Sequence, residues 1–221
     1  MRKRKWWLLL PVLAFAGLMA VLLWVCLGPD SGFVIPDQIL ICLAPGHGGS
    51  DPGAVLGDRL EKDDNLKMAL AVRDALERHG FENLSVMLTR EDDTDLELQQ
   101  RVDIANSAGA TLFISFHRNS GGGQGVETWV SAEGLRPEVR LATYIQNNLA
   151  RCDIQKDRGV KKGTASTPLA SYYVVGNTHM PACLIELGFI DNAGDNRCLD
   201  AGFDGYAQAI ADGILKMVEL K

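Results

Sequence analysis

Short apolar runs alternate with amphipathic stretches from Ile39 to Val218, and that alternation limits the fold more than any other feature of the chain. Ile39 to Leu43 is apolar without polar alternation, the pattern of a strand buried on both faces. Pro45 and Gly46 end it. Leu66, Ala69, Val72 and Leu76 recur at helical spacing within Glu61 to His79, and Gly80 is placed to close that helix. Strands are predicted over Leu84 to Leu88, Thr111 to Phe116, Val126 to Val130 and Pro181 to Leu187, with a short one at Tyr172 to Val175. Helices are predicted over Leu98 to Ala108, Leu135 to Ala150 and Phe203 to Val218, while Asp153 to Ala170 reads as polar and irregular. The implied fold class is α/β: a single domain with a mostly parallel, mixed twisted sheet of about six strands and helices on both faces.

Ahead of that domain, Arg2 to Lys5 are all basic, and Trp6 to Leu27 carry no charge. That length matches the ~20 residues of a membrane-spanning helix. The basic cluster should stay in the cytoplasm and send the remainder outside, with Trp6, Trp7 and Trp24 as interfacial anchors. The expected layout is a basic cytoplasmic segment at 1–5, a transmembrane anchor at 6–27, a linker at 28–37 and a folded domain at 38–221. The competing reading is a cleaved signal peptide and a secreted domain. Such peptides have apolar cores of ~7–15 residues and small residues at the cut, which Val25-Cys26-Leu27 does not offer.

The chain holds 28 acidic and 22 basic residues, and no acid precedes Asp30, so the domain is strongly acidic. A nucleic-acid partner is therefore not expected. The five cysteines form no CxxC pair, which argues against a cysteine zinc site. They read as free thiols, with a Cys152–Cys198 disulfide left open.

Four side chains carry the chemical argument. His47 follows the first strand in the glycine-rich turn Gly46-His47-Gly48-Gly49, and His117 follows a second strand. Glu61 starts a helix. Glu186 lies within the apolar run Leu184-Ile185-Glu186-Leu187, where a carboxylate is costly without a partner. A metal-bound water or an arginine salt bridge would supply one. Two imidazoles and one carboxylate make a catalytic zinc set with a coordination position left for water, and a further glutamate supplies a general base and acid.

Several stretches occur in an order that is specific in combination: Pro45-Gly-His-Gly-Gly49, Glu61-Lys-Asp-Asp-Asn-Leu66, Thr89-Arg90, Arg101 with Ala105-Asn106, Ser115-Phe-His-Arg-Asn119, Asp157-Arg-Gly-Val-Lys161, and Pro181-Ala-Cys-Leu-Ile185 running into Glu186-Leu-Gly-Phe189. From Ile39 to the C-terminus the chain resembles the zinc-dependent N-acetylmuramoyl-L-alanine amidases that cut bacterial peptidoglycan. The resemblance implies one zinc ion held by His47, Glu61 and His117, with Glu186 as the catalytic carboxylate and peptidoglycan as substrate. The membrane-anchored layout is similar to amidases that mature the spore cortex.

Two positions depart from the family. Ala44 stands where an aspartate that can orient a ligand histidine is common. Arg118 stands beside the second histidine in place of a small or apolar residue, and reads either as a contact to an anionic part of the substrate or as solvent-facing. Asn119, Glu127 and His179 are further candidates for substrate contact. For Glu127 the alternative is an edge carboxylate paired with an arginine, and for His179 an ordinary loop histidine. Arg90 and Arg101 are expected to pair with carboxylates. The Gly121–Gly125 loop lacks the lysine and serine of a phosphate loop, which removes nucleotide binding. The rival functions are another zinc peptidase or deacylase and a wall-binding protein without activity.

Overall fold

The computed structural model describes residues 33–219. The expected basic segment at 1–5, the span at 6–27 and the first part of the linker lie outside the described residues. Among the described residues, no helix is long and apolar enough to cross a membrane.

The main sheet has six strands: β1 (Ile39–Pro45), β4 (Leu84–Leu88), β5 (Leu112–Asn119), β6 (Val126–Val130), β7 (Asp157–Lys162) and β8 (Ala182–Phe189). A separate two-residue hairpin pairs β2 (Val55–Leu56) with β3 (Arg59–Leu60). The helices are α1 (Glu61–Arg78), α2 (Leu98–Ser107), α3 (Arg136–Leu149), α4 (Tyr173–Asn177), α5 (Ala193–Ala201) and α6 (Phe203–Val218). Across the sheet the strand order is β4-β1-β5-β8-β6-β7. The first four run parallel; β6 is antiparallel to β8 and parallel to β7. The mixed, mostly parallel sheet expected from the sequence is therefore present.

Side-chain alternation divides the core. Cys42, Ala44, Phe113, Ala182, Leu184 and Trp129 face one side, where they pack with Val102 and Ala105 of α2 and Val174 and Val175 of α4. The intervening residues, among them Ile41, Leu43, Ile114, Phe116 and Ile185, are also buried. Helices α1 and α3 cover that second face, and α6 packs against both of them. A sheet buried on both sides explains why its central strands read as unbroken apolar runs.

Two local expectations change, and one further helix is present. The stretch from Asp153 to Ala170 contains β7, a half-buried edge strand with Lys161 and Lys162 that lacks an apolar signature. The Tyr172–Val175 strand is instead α4, a single helical turn. Helix α5 is mostly polar and starts on Asn192, whose side chain accepts from the backbone N–H groups of Gly194 and Asp195. The disulfide left open is not formed, for Cys152 and Cys198 are both free thiols.

Helix α6 approaches α3 closely through Gly213, where an added Cβ would lie 2.7 Å from Ile145 Cα and 2.8 Å from its N. Gly213→Ala should destabilise the domain by about 1–3 kcal/mol despite alanine's better helix propensity, because the obstructing atoms are backbone. Urea unfolding followed by circular dichroism checks this.

Candidate functional site

The chain leaving β1 turns sharply, and His47 takes a left-handed backbone with φ 59°, the one such non-glycine among the described residues. That conformation costs free energy unless the surroundings fix it. Two buried guanidinium groups do so. Arg101 Nη1 donates to Pro45 O at 2.5 Å and its Nη2 to His47 O at 2.8 Å. Arg90 Nη2 donates to Gly46 O at 3.0 Å and to Lys62 O at 2.9 Å. The expected carboxylate partners are thus replaced by main-chain carbonyls. Burial, followed by the neighbouring Arg90 charge, pulls Arg101 down to about 10.

Glu61, the first residue of α1, meets both imidazoles. Its Oε1 lies 3.1 Å from His47 Nε2 and 2.9 Å from His117 Nδ1. The same oxygen accepts from the Arg118 backbone N–H at 3.0 Å, while Oε2 accepts from that of Ala54 at 2.8 Å. Burial works to raise the Glu61 pKa, but the two histidines outweigh it and hold the carboxyl far below the usual range. Asp51 Oδ2 sits 2.6 Å from His47 Nδ1. Burial lowers the His47 pKa, but Glu61 and then Asp51 overcome it and leave the pKa raised. Gly46 lies flat against the second imidazole: a Cβ there would be 2.2 Å from His117 Cε1.

The next strand brings Glu186. It pairs in register with His117 on one side and Glu127 on the other, so all three side chains start from one face of the sheet. Glu186 is buried, and its Oε2 has no hydrogen-bond partner among the described residues. Burial first, then the charges of Glu61 and Glu127, push its pKa up to about 8.

The predicted ligands thus converge: one donor atom each from His47, Glu61 and His117 lies within 4.8 Å of the others, a set that can hold one metal ion. The chemistry of the set fits zinc, with two imidazole nitrogens and a carboxylate oxygen. A cation there would also offset the buried Glu61 charge beside the unpartnered Glu186 oxygen. A cleft opens next to the imidazoles, lined in part by Asp95, Leu96, Leu98 and Val174.

The other predicted residues fare differently. Arg118 contacts neither an anionic substrate nor solvent, since its side chain is 0% exposed. It follows His117 and so points to the opposite face, where it pairs with Asp64 and donates to Asn196 Oδ1 at 2.6 Å. Glu127 is buried and bonded to Arg158, matching the arginine-paired alternative, and Asn119 Nδ2 donates to its Oε1 at 2.8 Å. His179 is exposed on the approach to β8, with its backbone N–H donated to Asn106 Oδ1. Ala44 sits in the apolar core. The orienting carboxylate is Asp51, four residues beyond His47; in the sequence, Ser50-Asp51-Pro52-Gly53 reads only as a turn.

A family model described as N-acetylmuramoyl-L-alanine amidase matches residues 41–216. The chain is 37% identical over 176 residues to the N-acetylmuramoyl-L-alanine amidase CwlM of Bacillus licheniformis, covering 80% of this chain and 66% of that one. It is 35% identical over 186 residues to a sporulation-specific N-acetylmuramoyl-L-alanine amidase of Bacillus subtilis, covering 83% of this chain and 70% of the relative. Among solved structures, the CwlD amidase of Clostridioides difficile, in complex with the GerS lipoprotein, aligns with a TM-score of 0.73 at 30% identity, covering 83% of this chain and 100% of that one.

Asp51→Ala should weaken zinc binding roughly 10- to 100-fold while leaving the fold intact, because the imidazole loses its orienting partner. Competition against a chromophoric chelator measures it. Zinc binding by the unaltered protein should fall as pH is lowered, beginning above 6.5, because the ion needs the proton-free His47 nitrogen and the His47 pKa is raised.

Proposed function

This chain belongs to the N-acetylmuramoyl-L-alanine amidase family, and from that premise we propose that it hydrolyses, with zinc, the amide between N-acetylmuramic acid and the first L-alanine of the peptidoglycan stem peptide. One observation carries the reading: a buried carboxylate oxygen on Glu186 without a protein partner, beside a converged set of three metal-binding side chains.

His47, Glu61 and His117 would hold the ion. Zinc supplies Lewis acidity, polarising the scissile carbonyl, stabilising the developing oxyanion and easing ionisation of water. Asp51 keeps the Nδ1 proton of His47 and so leaves Nε2 free to bind. Glu186 takes the proton of the attacking water and hands it to the departing alanine amine. Burial raises its basicity, and a cation held by the neighbouring side chains would draw it toward the ionised form that accepts the water's proton. The arginine-held turn keeps His47 in place and limits motion of the site during the reaction.

The apolar stretch at 6–27 supports a membrane-anchored protein with its domain outside the cytoplasm. The likeness to a sporulation-specific amidase supports a role in spore wall remodelling. Product analysis separates the reaction from that of other zinc peptidases: amide cleavage at this bond frees the lactyl carboxyl of muramic acid and an L-alanine amino end. Glu186→Gln should lower turnover by roughly 10²- to 10⁴-fold while zinc content stays at one ion per chain. Unchanged turnover at full zinc occupancy would remove Glu186 from the mechanism.

A further inference from the structure

The sheet register sets a line of functional groups along one rim. His117 on β5 faces Glu186 on β8, which faces Glu127 on β6. Beyond it, β7 is out of step with β6: Val126 pairs with Asp157 and Thr128 with Val160, so Arg158 and Gly159 together oppose Glu127. Such an extra residue re-aims a side chain. Gly159 supplies the left-handed backbone, at φ 73°. The outcome is that Arg158 Nε donates to Glu127 Oε2 at 2.7 Å, on the face from which Glu186 starts.

Arg158 is fixed but not used up. Glu127 is itself held by Asn119 Nδ2 and Trp129 Nε1, both donating to Oε1. The guanidinium carbon stands 5.0 Å from the centre of the Phe189 ring. Nη1 has one long contact, 3.5 Å to Gln124 O, and Nη2 has no partner among the described residues. The side chain is 29% exposed. A planar cation clamped on one edge, partly exposed and with Nη2 unpaired among the described residues, is suited to receive a carboxylate. Glu127 by itself would repel an anionic group; the Arg158 guanidinium offsets that charge and puts a cation at the end of the row.

We propose that Arg158 binds a carboxylate on the leaving peptide, about two residues beyond the scissile amide, and selects an acidic residue there over an amidated one. The proposal rests on the amidase reading above. Two strand spacings separate Glu186 from Arg158, about 10 Å between backbones. Two peptide residues reach about 7 Å, and the long arginine side chain covers the difference. Binding at this point places the scissile amide against Glu186 and adds no charge to the reacting centre.

The test uses the full chain loaded with zinc and two soluble muropeptides that differ at the second stem residue, one with a free carboxylate and one with the carboxamide. The unaltered protein should prefer the carboxylate form by roughly tenfold or more in kcat/KM. Arg158→Gln should bring that ratio close to one by raising KM for the carboxylate form, with kcat changed less. Arg158→Lys keeps a charge for Glu127 but loses the fork, and should retain part of the preference. A variant folded by circular dichroism that keeps the unaltered ratio would overturn the proposal, as would an unaltered protein that treats both substrates alike. If the glutamine variant does not fold, the lysine variant decides by the same ratio. Failure of the amidase reading shows differently: the unaltered protein then cuts neither muropeptide, and the proposal falls with it.

Discussion

The Glu61 carboxylate accepts from the backbone of Ala54 and Arg118 and faces both His47 and His117. Those groups come from the turn after β1, the loop before α1, and the end of β5. A buried carboxylate needs such partners, because its charge is expensive away from water. Each segment that brings a histidine to the metal-binding set is thus also a segment that solvates this one charge. The position at the first turn of α1 helps further, since the helix dipole favours an anion there.

A second set of buried charges holds the frame. Arg90 and Arg101 fix the left-handed turn through its carbonyls, which a lysine could not do with one donor group at several angles. Arg118 turns away from the cleft and joins β5 to α1 and α5 through Asp64 and Asn196, and Asp64 also receives Arg59. The site is therefore braced from below by ion pairs on the face opposite the cleft. This explains how an arginine can stand directly beside His117 without reaching the cleft.

The fold is legible where burial writes itself into sequence. Strands β1, β5 and β8 are buried along nearly their whole length and read as apolar runs. Helix α6 shows its buried stripe clearly. Strand β7 is not legible, because an edge strand with a half-exposed face carries no such pattern. The four central site residues are legible from residue type and from their position around apolar strands. Asp51 is not, for its role depends on a turn that bends it back to His47, and the same residue types make ordinary turns. Arg118 misleads because its number is adjacent to a ligand while its side chain points through the sheet. Ala44 reads as a lost function; with Asp51 holding the imidazole, it is a well-packed core residue.

The reversal of direction at β6 has a consequence for how such a domain can diversify. The chain arrives at the rim that holds His117 and Glu186 along β1, β5 and β8 but departs from it along β6 and β7, so the segments ahead of those two strands also border that rim. Insertions at 120–125 or 150–156 would add surface to that border outside the strands β1, β5 and β8. A domain with this strand order can thus gain new surface beside its site by lengthening two connections, with β1, β5 and β8 left as they are.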